Sequence, residues 1–123
     1  MFKTILLIEK DEFLKDFFTR VFFIDGFEVF HIENQDDFSK LDPQTINNLD
    51  IVVYDECENP KSFTDFMKKS LIDADRNRAL PVLGVLSKGT DPEPAHKNFD
   101  AVMIKDNFNI QLLTDLVTRL TGS

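Results

Sequence analysis

Short, uninterrupted apolar runs constrain this chain more than any other feature. Ile5-Leu6-Leu7-Ile8, Ile51-Val52-Val53-Tyr54, Pro81-Val82-Leu83-Gly84-Val85-Leu86 and a fifth run within Asp100 to Ile104 are continuous rather than alternating. Strands covered on both faces read this way, so the runs predict a parallel sheet with helices on each side. Between the runs lie longer amphipathic stretches. Phe13/Leu14, Phe17/Phe18 and Val21/Phe22 recur every four residues and predict one apolar stripe on a first helix, capped by Asp11 and closed by Gly26. Glu28 to Ile32 reads as a second strand. Asp36 to Leu41 reads as a short helix stopped at Asp42-Pro43, with Gln44 to Leu49 a connection or weak helical turn. Asn59-Pro60 opens a helix that buries Phe63, Phe66, Met67 and Leu71, followed by a polar loop from Asp73 to Ala79. A last helix from about Asn107 to Leu120 buries Ile110, Leu113, Leu116, Val117 and Leu120. Pro92 and Pro94 leave room for only a short or degraded fourth helix before the fifth strand.

Five strands and these helices in 123 residues predict one domain, residues 1–123. Its fold is α/β, a flavodoxin-like doubly wound five-stranded parallel sheet of order 2-1-3-4-5. In such sheets functional groups gather at the carboxyl ends of the strands. Glu9, Lys10 and Asp11 follow strand one, Asp55 ends strand three, Ser87 follows strand four and Lys105 follows strand five. That strand order brings the carboxylates, the hydroxyl and the lysine onto one small patch.

Composition excludes several functions. Twenty-two acidic residues against fourteen Lys and Arg give a net charge of −8, which phosphate backbones and anionic lipids repel. Neither direct nucleic-acid binding nor a membrane surface is expected. A single cysteine, Cys57, excludes a disulfide framework and a cysteine-rich zinc site. No leader-like opening is visible, so a cytoplasmic location is expected. No Ser/His/Asp order, zinc spacing or glycine-rich phosphate loop marks a conventional enzyme. His31 and His96 have no partner at ligand spacing. Flavodoxin-type flavin binding is the rival of a different class. It needs a hydroxyl- and glycine-rich loop after strand one, where this chain has Glu9-Lys10-Asp11-Glu12.

At four places the residues resemble CheY-like receiver domains of bacterial response regulators. Lys3 to Asp11 resembles the opening strand with its acidic pair, and Asp50 to Asp55 the strand ending in the phosphoacceptor aspartate. Leu80 to Ser87 resembles the strand ending in Thr or Ser, and Asp100 to Lys105 the last strand with its lysine. The resemblance implies a two-component phosphorelay module that works by protein–protein contact. Its partners would be a histidine kinase, a phosphotransfer protein or a downstream signalling protein, and it would be a monomer or weak dimer. It implies Asp55 as phosphoacceptor, with Mg²⁺ held by Glu9, Asp11, Asp55 and the backbone carbonyl of Cys57. Ser87 would be the switch hydroxyl and Lys105 the phosphate-contacting lysine.

The chain departs from that pattern. Lys10 stands at the second acidic position, where an ammonium about 4 Å from a metal would oppose it by a few kcal/mol. Counting from Pro81 puts Leu86 at the switch position and Ser87 one later, unless a bulge shifts the strand. Asp106 follows the lysine where the family has Pro, and Pro60 falls five residues after Asp55. The departures predict a phosphorylation-impaired pseudo-receiver with weak or absent Mg²⁺, in which Lys10 takes the metal's place and pairs with Asp55 and Glu9. A working Mg²⁺-dependent receiver using Glu9, Asp11 and Asp55 is the alternative. The thirteen Phe predict an aromatic core, with Phe18 or Phe23 exposed as a partner-docking patch.

Overall fold

A computed structural model describes residues 2–105 and 109–122. Asp106 and Asn107, the position after the lysine and the expected start of the last helix, lie outside the described residues. Five strands form one parallel sheet: β1 (Thr4–Ile8), β2 (Glu28–Ile32), β3 (Ile51–Asp55), β4 (Val82–Leu86) and β5 (Ala101–Ile104), in the order β2-β1-β3-β4-β5. The helices are α1 (Glu12–Ile24), α2 (Pro43–Asn48), α3 (Pro60–Asp73), α4 (Glu93–Asn98) and α5 (Ile110–Leu120), with a 3-10 helix at Gln35–Lys40. The predicted fold class is what the chain adopts.

Alternation along the strands divides the interior into two cores. Leu6, Ile8, Val52 and Tyr54 face one layer and pack with Phe38, Phe63 and Phe99. Ile5, Leu7, Val53, Leu83 and Val85 face the other and pack with Phe18, Phe22, Leu113 and Val117. The central strands β1, β3 and β4 are buried along their whole length. Strand β5 is not, although its sequence is as apolar: only Met103 is buried, because β5 is an edge strand with a neighbour on one side.

Helix geometry corrects three assignments. Phe18 and Phe22 centre the buried stripe of α1 and are fully covered, whereas Phe13 and Phe23 lie about 140° around the helix from Phe18 and are exposed. Ile110 opens α5 and is exposed rather than buried. Pro43 does not merely stop a helix. Asp42 caps a new one, accepting from the Thr45 backbone N–H at 2.8 Å, and Pro43 occupies its first turn. Helix α4 is six residues long, as its two prolines led us to expect.

The loop after α3 contains a buried cation. The Arg76 guanidinium reaches the carbonyl oxygens of Ile46, Asn47, Leu49 and Ala79, and its Nε donates to that of Arg78. It ties the end of α2 to the entry of β4. Burial pulls its pKa down to about 10, so it stays charged at neutral pH.

Candidate functional site

The carboxyl ends of β1, β3 and β4 open into a cleft of about 680 Å³. Asp55 is the last residue of β3, and its side chain is fully buried. Lys105, directly after β5, reaches across to it. Its Nζ donates to Asp55 Oδ2 at 3.0 Å and lies 2.9 Å from Oδ1 in a contact of charge rather than hydrogen bonding. Glu56 Oε2 stands 3.7 Å from the same nitrogen. Burial pulls the Lys105 pKa down, but the hydrogen bond and charge of Asp55, with the charges of Glu56 and Glu9, outweigh it, and the net shift is upward.

Glu9 directly follows β1 and is 4% exposed. Its Oε2 accepts the Asp11 backbone N–H at 3.3 Å. Glu9 Oε1 and Asp55 Oδ1 are both buried, Oδ1 beside the Lys105 ammonium at 2.9 Å. Burial, then the Asp55 side chain as hydrogen-bond partner and as charge, push the Glu9 pKa from 4.5 up to about 8. Glu9 therefore keeps its proton to higher pH than a free carboxyl, with the Asp55 side chain as its partner.

Lys10 does not do what its sequence position suggests. It is exposed at the cleft rim and makes no ion pair among the described residues. Successive residues leaving a strand point to opposite sides, so Glu9 turns inward and Lys10 outward. The cation beside Asp55 is Lys105. Asp11 caps α1 as expected, its carboxylate accepting the Leu14 N–H at 3.0 Å, and is engaged there. Strand β4 keeps regular register through Leu86, with Val85 opposite Asp55 and Leu86 opposite Ile104. There is no bulge, so the buried Leu86 ends the strand and Ser87 follows it, half-buried at the cleft wall. Cys57 also lines the cleft, but its thiol belongs to the core, where burial pushes it up to about 11. His31 packs structurally, its Nε2 2.7 Å from the Glu9 carbonyl oxygen.

The sequence reading missed Glu56. It sits in the left-handed region at φ 56°, rare for a residue with a side chain, directly after Asp55. That twist ends β3 and places a second carboxylate beside Lys105. It also missed the rim acids Glu33, Asp36 and Glu58. The run Asp55-Glu56-Cys57-Glu58 was the available signal. Of the proposed docking aromatics, Phe18 is in the core. Phe23 is exposed and, with Phe2, Phe27 and Phe30, lines an apolar recess at the other end of the sheet.

A magnesium ion takes oxygen ligands in strict geometry. Among the described residues Glu9 and Asp55 converge here, and no group of three His, Cys, Asp or Glu able to hold a metal occurs. Asp11 is committed to its helix, and Lys10 adds positive charge at the rim. This donor set does not fit a tight magnesium site.

Neither a protein-family model nor a curated protein matches the sequence. Solved structures do match it in fold. HP1043, an orphan response regulator of H. pylori, is 22% identical over 97% of this chain and 96% of its own, with a TM-score of 0.74. The receiver domain of the sensor histidine kinase PA1611 from Pseudomonas aeruginosa is 15% identical over 100% of both chains, with a TM-score of 0.74. That structure has a magnesium ion coordinated in its active-site cleft. A response regulator receiver domain protein from Clostridium thermocellum is 15% identical over 98% of this chain and 94% of its own, with a TM-score of 0.76. The chain has the CheY-like receiver fold.

Proposed function

We propose that this domain is a pseudo-receiver: a two-component signalling module that acts through protein contact and accepts a phosphoryl group on Asp55 poorly or not at all. One observation carries the reading. Among the described residues Glu9 is the carboxyl set against Asp55, and both Asp55 oxygens already lie within 3.0 Å of the Lys105 ammonium. Phosphoryl transfer needs charge neutralised around the transferred oxygens, and a dication is the usual source. A protonated Glu9 and an outward Lys10 do not supply a place for one. Ser87 and Lys105 are proposed as the groups nearest any incoming oxyanion. Leu86, at the end of β4, offers no hydroxyl.

Under this proposal the domain holds one state, fixed by the Asp55–Lys105 pair, and partners read it by shape. A histidine kinase, a phosphotransfer protein or a downstream regulator remains the proposed class of partner, and Phe23 the proposed apolar contact. No described helix is long and apolar enough to cross a membrane.

The test is intact mass after incubation with acetyl phosphate and Mg²⁺. The wild type is expected to show no adduct. Lys10→Asp replaces the rim cation with a further carboxylate and is expected to gain one, which a further Asp55→Asn change removes. A wild-type adduct that Asp55→Asn abolishes would establish a working magnesium-dependent receiver instead.

A further inference from the structure

Strand β2 is an edge of the sheet and pairs with β1 alone. Two hydrogen bonds fix which of its backbone groups face inward. The Glu28 N–H donates to the Lys3 carbonyl at 2.9 Å, and the Ile32 carbonyl accepts the Glu9 N–H at 3.1 Å. Backbone groups change sides with each residue of a strand. Glu28, Phe30 and Ile32 therefore turn theirs toward β1, and Val29 and His31 turn theirs outward. Proteins that stay monomeric blunt such an edge with lysine, proline, a bulge or a very short strand. From Phe27 to Glu33 there is no lysine and no proline. The register against β1 runs unbroken from Glu28 to Ile32, without a bulge.

The side chains around this edge are apolar as well. Phe23, Phe27, Val29 and Phe30 line a recess of about 520 Å³ with Phe2 at its margin. Phe2, Phe23 and Phe30 are 64%, 75% and 45% exposed, which at roughly 150–250 Å² per aromatic side chain leaves on the order of 350 Å² of ring surface in water. A standard interface covers about 800 Å² on each partner. The rings supply close to half of that, and a paired strand adds to it, which suits a weak, reversible association.

We infer that a second copy of this chain docks here, its β2 antiparallel to this one across a two-fold axis at Phe30. In that register Val29 stands opposite His31 of the second copy, and His31 opposite Val29. The outward N–H and C=O groups then find partners in both copies. Phe30 meets its own counterpart as the close pair that carries no hydrogen bonds, where facing aromatic rings stabilise a sheet most directly. Glu28, the one acid within β2, falls opposite Ile32, so no like charges face each other across the pair. An extended peptide from another protein would meet the same edge. The self-complementary register favours the copy, and the two-fold closes the assembly at two chains.

The experiment is sedimentation equilibrium of the whole chain over a concentration series, with amide hydrogen exchange by NMR at the two ends of the series. A dimer with a Kd below about 1 mM is expected. The Val29 and His31 amides are expected to gain protection as concentration rises, which docking at any other surface would not give them. Each copy carries a charge of −8, so association is expected to tighten with added salt. Phe30→Lys sets two ammonium groups face to face and is expected to raise Kd about tenfold or more. Phe13→Lys, an exposed ring on another flank of α1, adds the same charge and is expected to leave Kd unchanged. A chain that stays monomeric to about 1 mM overturns the inference. So does a dimer that leaves the Val29 and His31 amides exchanging freely, or one that Phe13→Lys weakens as much as Phe30→Lys does. The exchange measurement on the wild type holds the test open even where a variant folds poorly. Nothing in it depends on whether Asp55 accepts a phosphoryl group. A signalling partner that reads Phe23 would compete with the second copy.

Discussion

The buried proton on Glu9 makes stability depend on pH in an unusual direction. A carboxyl whose folded pKa is depressed loses its contribution as pH falls. Glu9 is the opposite case: burial and the neighbouring Asp55 raise it from 4.5 to about 8. Between those values the folded state binds a proton that the unfolded chain has released, so unfolding becomes easier as pH rises. Integrating the linkage from pH 5 to pH 8 gives a loss of about 3 kcal/mol, with a slope near 1.4 kcal/mol per pH step in mid-range. Urea denaturation at pH 5, 6, 7 and 8 measures it directly. Glu9→Gln keeps the shape and an N–H donor for Asp55 but cannot titrate. Its stability should be nearly flat across the window and should exceed that of the wild type at pH 8. The Lys105 pKa is raised from an ordinary 10.5, so its contribution is fully present below that value and constant in this range. Parallel slopes in wild type and Glu9→Gln would show that no proton sits between Glu9 and Asp55, and the description of the site would fail.

Further outcomes follow from other contacts. Lys105→Met leaves a fully buried Asp55 carboxylate without its ammonium, and urea midpoints at pH 7 should show a loss of about 3 kcal/mol; a loss under 1 would mean that water already solvates Asp55. That deficit should persist through neutral pH and shrink only as pH rises above 10.5, where the wild-type lysine itself deprotonates. Gly84→Ala places a Cβ 2.6 Å from Phe99 Cδ2, so the ring must move, and a loss of about 1–3 kcal/mol is expected by the same assay. Arg76→Leu strips the donors from the carbonyls of Ile46, Leu49 and Ala79, and should cost about 3 kcal/mol. Hydrogen exchange in that variant should rise first at the α2–β3 and α3–β4 connections.

Much of this was legible in the sequence, for identifiable reasons. Continuous apolar runs fixed which segments are strands, because a strand covered on both faces has no polar side to show. The same logic misjudged β5. Apolarity reports what a segment tolerates, and only the sheet order says that β5 has one neighbour rather than two. Periodicity found α1 but merged adjacent phenylalanines into one stripe, when a turn of 100° per residue separates Phe22 in the core from Phe23 in solvent. At the site, position along the chain was a good guide and direction was not. Glu9 and Lys10 are neighbours, and the backbone leaving β1 sends one inward and the other out. Of the two lysines expected at Asp55, Lys105 is there and Lys10 is not. Lys105 is fifty residues from Asp55 in the chain and nearer in space than Lys10, because the sheet order carries the end of β5 to the same rim. The Glu9 proton lay beyond reach for a related reason. A carboxyl pKa is set by what surrounds it, and its surroundings come from β1, β3 and the residue after β5 together. The combination of a lysine already on Asp55 and a proton already on Glu9 follows from this convergence. Both occupy the positive side of the site with charges the chain itself provides.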